Sequence, residues 1–213
     1  MKHVALTLVP RAAGARRTAE RPIDRSPSPG PRRRRSGFTL LELMITLGVL
    51  AILASLGVPA MQDMLERNRL KSAAQSLMED LQWMRSEAIR RNRTLSLVID
   101  ADAWCYGITA EDTCDCRLTD STATDACVLG TAGRPVLQRT GGHDFQGVQI
   151  GSITSSLGSP PRFVFEPRRA TAPSFGGVSM SSPAGAQLRV ILSKLGRVRT
   201  CSPDGSVPGF ESC

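Results

Sequence analysis

Residues 38–58 read FTLLELMITLGVLAILASLGV, a run in which Glu42 is the single charge. About 20 apolar residues in a helix span a hydrocarbon core roughly 30 Å thick, so this stretch is long enough to cross a membrane once. The Arg32-Arg33-Arg34-Arg35 run lies directly before it. By the positive-inside rule those arginines stay cytoplasmic and the residues after the span lie on the other side.

Upstream, residues 1–37 are rich in Arg, Pro and Ala and show no hydrophobic period, the composition of a segment that does not fold. Ten of the 27 Lys and Arg precede Phe38, against two of the 19 Asp and Glu. The whole net charge of +8 therefore sits in this segment, and the remainder is balanced. A nucleic-acid role cannot be read from net charge and must come from local patches. The segment is not an ordinary secretory signal, because its charged part is too long and no small-x-small site closes the apolar run.

Downstream, Leu70, Ala73, Ala74, Leu77, Leu81, Met84 and Ala88 recur at spacings of three and four, the stripe of an amphipathic helix. Lys71, Glu79, Asp80, Arg85 and Glu87 fall between them and read as its solvated face. One helix is expected over 38–92, with a transmembrane half (38–59) and an amphipathic half (60–92). Gly57 and Pro59 are expected to bend or loosen it, since proline removes a backbone donor and crowds the preceding turn.

Past Asn92 the period changes to two: Leu95, Leu97 and Ile99 alternate with Thr94, Ser96 and Val98. Further strand candidates are Phe163–Phe165, Val178–Met180 and Leu188–Leu192, set off by Gly, Pro and Ser clusters. The fold class is α+β, a long helix packed on a small antiparallel β domain over 93–213.

All six cysteines (Cys105, Cys114, Cys116, Cys127, Cys201 and Cys213) follow the apolar segment. An even number on one side of a membrane span reads as disulfides in an oxidising compartment. Six cysteines allow 15 pairings. Proximity favours Cys201–Cys213, a short loop whose closure is worth on the order of 3 kcal/mol in the chain-entropy model; the pairing of the other four stays open. A zinc site from Cys105, Cys114, Cys116 and Cys127 is the rival, but these four include no Cys-x-x-Cys pair and have no nearby histidine.

Gly37-Phe38-Thr39-Leu40-Leu41-Glu42-Leu43 resembles the processing and assembly signature of type IV pilins and type II secretion pseudopilins. The resemblance implies that a prepilin peptidase cuts between Gly37 and Phe38, removing the 1–37 leader, and that Phe38 is N-methylated. Glu42 has an argument of its own. A carboxylate near the start of a membrane helix is costly without a partner, and the N-terminal amine of a neighbouring subunit would supply one during filament assembly.

Phe163-Val164-Phe165-Glu166-Pro167, Leu188-Arg189-Val190-Ile191-Leu192 and Gly196-Arg197-Val198-Arg199-Thr200-Cys201 together resemble the GspH/FimT group of minor pilins. The fold this implies is type IV pilin-like. FimT-like members capture DNA in natural transformation through a Gly-Arg-x-Arg motif, which Gly196, Arg197 and Arg199 match. Arg189, Lys194, Arg168 and Arg169 are supporting candidates. Seven acids and one base lie between Asp100 and Asp125, whereas seven bases and one acid lie between Arg162 and Arg199. Such segregation gives an otherwise neutral chain a surface able to attract phosphates. In an extended segment Arg197 and Arg199 share a side, and guanidinium groups grip phosphate oxygens bidentately.

Nothing points to an enzyme. The only histidine after the leader, His143, sits in a Gly-Gly-His-Asp turn, and neither a Gly-x-Ser-x-Gly elbow nor a phosphate loop is present. No cofactor is implied. Two functions from different classes follow: a minor type IV pilin that binds double-stranded DNA, or a structural pseudopilin of a type II secretion system. Either way the expected partners are other pilins through the helix, the prepilin peptidase and the bacterial inner membrane, crossed once with the β domain in the periplasm.

Overall fold

The computed structural model describes residues 37–131, 133–157, 160–169 and 171–213. Apart from Gly37, the expected leader lies outside the described residues.

Helix α1 spans Leu40–Arg91. Thr39 caps it: the Thr39 hydroxyl accepts the Glu42 amide at 3.2 Å and the Thr39 carbonyl accepts Leu43 at 3.2 Å. Thr39 and Glu42 thus occupy the two key positions of a capping box, with an acid in the first turn where the helix dipole favours it. The helix continues unbroken through Gly57 and Pro59. Every residue from 37 to 58 is exposed. A helix that is apolar around its whole circumference and covered by nothing has the surface of a segment meant for lipid or for other helices.

At its other end Arg93 N donates to the Ala88 carbonyl at 3.1 Å and Asn92 N to the Ile89 carbonyl at 3.2 Å. Asn92 has φ of 49°, in the left-handed region. This is a Schellman motif with asparagine in the place usually taken by glycine.

The stripe from Leu70 to Ala88 is buried throughout. Of its polar neighbours Glu79 is exposed as expected, but others depart from the solvated-face reading. Asp80 and Arg85 are half-buried, and Glu87 is 6% exposed. The β domain wraps more than the apolar stripe, so flanking polar side chains need partners. Tyr106 donates its hydroxyl to Asp80 Oδ2 at 2.7 Å, with Ser76 and Thr140 at 3.0 and 3.4 Å completing the cluster. Glu87 is held by Arg90 at 2.5 Å and by Arg91.

The strands follow in order: β1 (Leu95–Asp100), β2 (Cys105–Thr109), β3 (Val128–Thr131), β4 (Arg134–Leu137), β5 (Arg139–Gly141), β6 (Gln149–Ser155), β7 (Arg162–Glu166), β8 (Thr171–Ser174), β9 (Gly176–Ser181), β10 (Gln187–Leu192) and β11 (Val198–Cys201). A five-stranded sheet runs β5-β2-β1-β7-β8, a four-stranded sheet β11-β10-β9-β6, and β3 pairs with β4 alone. All these pairings are antiparallel. Leu95, Leu97, Ile99, Phe163 and Phe165 of the first sheet join Val178, Met180, Leu188 and Val190 of the second in one core with the helix stripe.

The alternation in β1 hides a second buried face. Ser96 and Val98 are as enclosed as their neighbours. They stand opposite Thr109 and Gly107 of β2, and the cysteine-rich segment lies over Val98 and Gly107. Two disulfides, Cys105–Cys116 and Cys114–Cys127, hold that segment, and Cys105, Cys116 and Cys127 form a separate small core. A Cβ at Gly107 would lie 2.3 Å from Cys127 Sγ, so only glycine admits the disulfide so close to the sheet. The third disulfide, Cys201–Cys213, ties the last described residue to β11.

Candidate nucleic-acid interface

The Gly-Arg-x-Arg segment begins in the turn between β10 and β11. Gly196 N donates to the Ser193 carbonyl at 2.8 Å and Ser193 N to the Arg197 carbonyl at 2.9 Å. Gly196 has φ of 73°, a conformation that glycine adopts without strain. The Ser193 hydroxyl accepts the Arg197 amide at 3.1 Å. The backbone that presents Arg197 is thereby fixed before β11 starts.

β11 is an edge strand. Along it Val198 and Thr200 are half-buried, while Arg199, and Arg197 in the turn just before it, are exposed. Thr200 reaches back to the helix, its hydroxyl 3.7 Å from Met78 Sδ. The two arginines therefore share the side that alternation assigns them, and the residues between them anchor the strand.

A third arginine joins them from α1. Arg85 donates from Nη1 to the Gly196 carbonyl at 3.2 Å, and its guanidinium lies 5.9 Å from the centre of the Phe165 ring. Gln82, Arg85, Gly196, Arg197 and Arg199 line one groove between helix and hairpin. The sequence reading missed Arg85 and Gln82. The available signal was that Arg85 follows the buried Leu81 by four and precedes the buried Ala88 by three, placing it on the rim of the contact stripe.

The supporting cations divide between surfaces. Lys194 is exposed in the hairpin turn, and its carbonyl accepts Ala172 N of β8 at 3.1 Å. Arg168 and Arg169 are exposed in the turn that precedes β8, within about 15 Å of chain from that bond at ~3.5 Å per residue. Arg189 takes a different course. It lies half-buried on the outer face of the four-stranded sheet, donating from Nη2 to Thr154 Oγ1 at 2.8 Å, with Nε buried and unpartnered. The acidic stretch also divides. Asp100, Asp102, Asp115 and Arg117 border one hollow, while Glu111 and Asp125 border another with Arg91 and Arg93.

At the other end of the chain Gly37 is open on all sides, Phe38 is 86% exposed and Glu42 is exposed. His143 is at the surface, 3.0 Å from Asp144.

The model of the family described as type II transport protein GspH matches residues 73–196. The chain belongs to the GspH family. A second model, the prokaryotic N-terminal methylation motif, matches residues 32–58, which takes in the arginine run, Gly37, Phe38, Glu42 and the apolar segment. Among curated proteins the chain is 30% identical over 166 residues to the pilin-like protein PilA1 of Thermus thermophilus, covering 78% of this chain and 97% of that one. It is also 43% identical over 42 residues to the prepilin peptidase-dependent protein D of Escherichia coli, covering 20% and 29%. Among solved structures it is similar to the minor pseudopilin EpsH from the type 2 secretion system of Vibrio cholerae, with a TM-score of 0.44, 19% identity and coverage of 63% and 98%. The type IV minor pilin FimU of Pseudomonas aeruginosa gives 0.42, 21%, 69% and 98%.

This GspH-family chain is thus a pilin-like protein whose exposed apolar helix is long enough to cross a membrane. The GspH match begins within the buried helix stripe at Ala73 and stops at Gly196. Arg197 and Arg199 lie just beyond it, so membership in the family leaves their role to be argued from geometry.

Proposed function

We propose that this chain is a minor type IV pilin that binds extracellular double-stranded DNA through Gly196, Arg197 and Arg199 and contributes to natural transformation. On this reading the prepilin peptidase cuts after Gly37, Phe38 is methylated, and Glu42 meets the N-terminus of a neighbouring subunit. The protein crosses the inner membrane once and holds its β domain in the periplasm until it enters the filament.

The observation that carries the reading is the exposure of Arg197 and Arg199 at the start of an edge strand, beside Arg85 in one groove. Three planar cations at a fixed hairpin suit phosphate oxygens, which a guanidinium binds bidentately. Phosphate contacts position a protein on DNA and carry no base information, so binding is expected to be nearly indifferent to sequence.

The test is fluorescence anisotropy on the full chain in neutral detergent, with unrelated duplexes at two salt concentrations. Arg197→Ala with Arg199→Ala should weaken binding to all duplexes alike. It should also flatten the dependence of log affinity on log salt by roughly 0.9 per lost phosphate contact. Unchanged binding by the folded double variant would leave the structural pseudopilin reading, which the description of the matching family favours.

A further inference from the structure

The outer face of the four-stranded sheet carries a second surface, which adjoins the arginine groove at Arg199. Along β10, Leu188, Val190 and Leu192 are buried toward the core, whereas Arg189 and Ile191 are half-buried on the opposite face. Ile191 stands between Gly177 of β9 and Arg199 of β11. Arg189 lies across bare backbone, for a Cβ at Gly177 would be 2.8 Å from its Nε. At the end of this face Phe175 is 42% exposed, with its amide fixed by the Ser156 hydroxyl at 3.1 Å. Phe175, Gly176, Arg189, Ile191 and Lys194 border a single shallow depression with a mainly apolar lining.

We propose that this depression seats an unstacked base of a single-stranded nucleic acid, while Lys194 and Arg199 hold the adjoining phosphates. The inference deepens the DNA reading above and rests on it. An exposed apolar hollow bordered by two cations, Arg189 and Lys194, is complementary to a polyanion that also offers a flat apolar group. Aromatic rings and guanidinium planes stack bases with little regard to sequence, and such stacking beside a basic groove is how single strands are held. The Arg189 plane is already positioned by Thr154 and lies on the sheet, with its Nε buried against it. An intact duplex keeps its bases stacked inside and presents phosphates only, so it engages the arginines without filling the hollow. Frayed ends and single strands would do both.

The test compares a short oligo(dT) strand with a blunt duplex of equal length, using the full chain in neutral detergent. Phe175→Ala should lose about tenfold in affinity for the single strand, the scale of one base–aromatic stack, with less than a twofold change for the duplex. Arg197→Ala with Arg199→Ala should weaken both. Phe175→Trp should keep single-strand affinity and show fluorescence quenching by oligo(dT) beyond that of the native chain, which also serves if the alanine variant fails to fold. If the arginine variants weaken DNA binding while Phe175→Ala affects the two substrates equally and Phe175→Trp shows no extra quenching, the stacking site is refuted and the DNA reading stands. If the arginine variants bind both substrates as the native chain does, the DNA reading fails and the stacking site with it. A Phe175→Ala effect confined to association between copies of the chain would make the hollow a protein contact and also overturn the proposal.

Discussion

Arg85 on the helix and Gly196 in the hairpin turn are joined through a hydrogen bond from Nη1 to the carbonyl oxygen at 3.2 Å. The two are 111 residues apart, and this bond sets the hairpin's position against α1 beside Arg197. A half-buried cation tied to backbone on one side and resting over Phe165 on the other has little freedom left.

Arg85→Ala should therefore act twice. A hydrogen bond from a charged group contributes about 1.5–3 kcal/mol, so the melting temperature should fall by several degrees. Hydrogen exchange at the Gly196 and Arg197 amides should quicken as the turn loosens. Arg85→Lys should restore part of the stability, since an ammonium reaches the carbonyl but lacks the planar fork that rests on Phe165. Unaltered exchange in Arg85→Ala would show that the turn holds itself.

Acid stability should depend on Glu87. Hydrogen bonds from Arg90 and then Arg91 hold its carboxyl down to about 2 against an ordinary 4.5. A depressed carboxylate adds stability that is complete above its unfolded value and disappears as pH falls toward the folded one. Glu87→Gln should lower the melting temperature at neutral pH and make the loss between about pH 5 and pH 2 shallower. Asp80 works in the opposite direction: burial raises its carboxyl despite hydrogen bonds from Tyr106 and Thr140. Parallel melting curves for the native chain and Glu87→Gln across that window would contradict the assignment.

Gly107→Ala tests the disulfide layer behind β1 and β2. The added methyl would meet Cys127 Sγ at 2.3 Å and Cys127 Cβ at 2.5 Å, and overpacking of this kind costs about 1–3 kcal/mol. Gly151→Ala is the control, because its nearest neighbour would be the Ser179 carbonyl at an ordinary 3.5 Å. Thermal melts followed by circular dichroism should separate the two clearly. Thiol labelling of the denatured, unreduced native chain should find none of the six cysteines free.

Processing is read by intact mass. Protein purified from membranes should begin at Phe38 and carry one additional methyl group, and Gly37→Val should keep the leader attached. A native chain starting elsewhere would refute cleavage at this junction.

The helix was legible because its signals are local and periodic. The stripe from Leu70 to Ala88, the apolar run and the change of period at Leu95 each follow from spacing alone. Cys201–Cys213 was legible for a similar reason, since proximity in sequence singled it out. Contacts across long separations were not legible. Arg85 and Glu87 read as solvated because helical spacing reveals where the apolar stripe lies and not how widely a sheet will wrap it. Val98 falls among the alternate residues because alternation cannot announce that a disulfide-bonded loop will return over the far face. Phe175, the single residue between β8 and β9, carries no periodic signal at all.

The passage from α1 into the β domain bears on how the molecule responds to force. Only residues 92, 93 and 94 separate the helix from β1, and the left-handed turn at Asn92 is closed by Arg93 bonding back to Ala88. β1 is an interior strand, paired with β2 on one side and β7 on the other. Traction applied through the helix therefore arrives at a strand that cannot peel away from an edge. It must shear two hydrogen-bonded ladders at once, and so a chain drawn along by its helix should resist unravelling where helix and sheet meet.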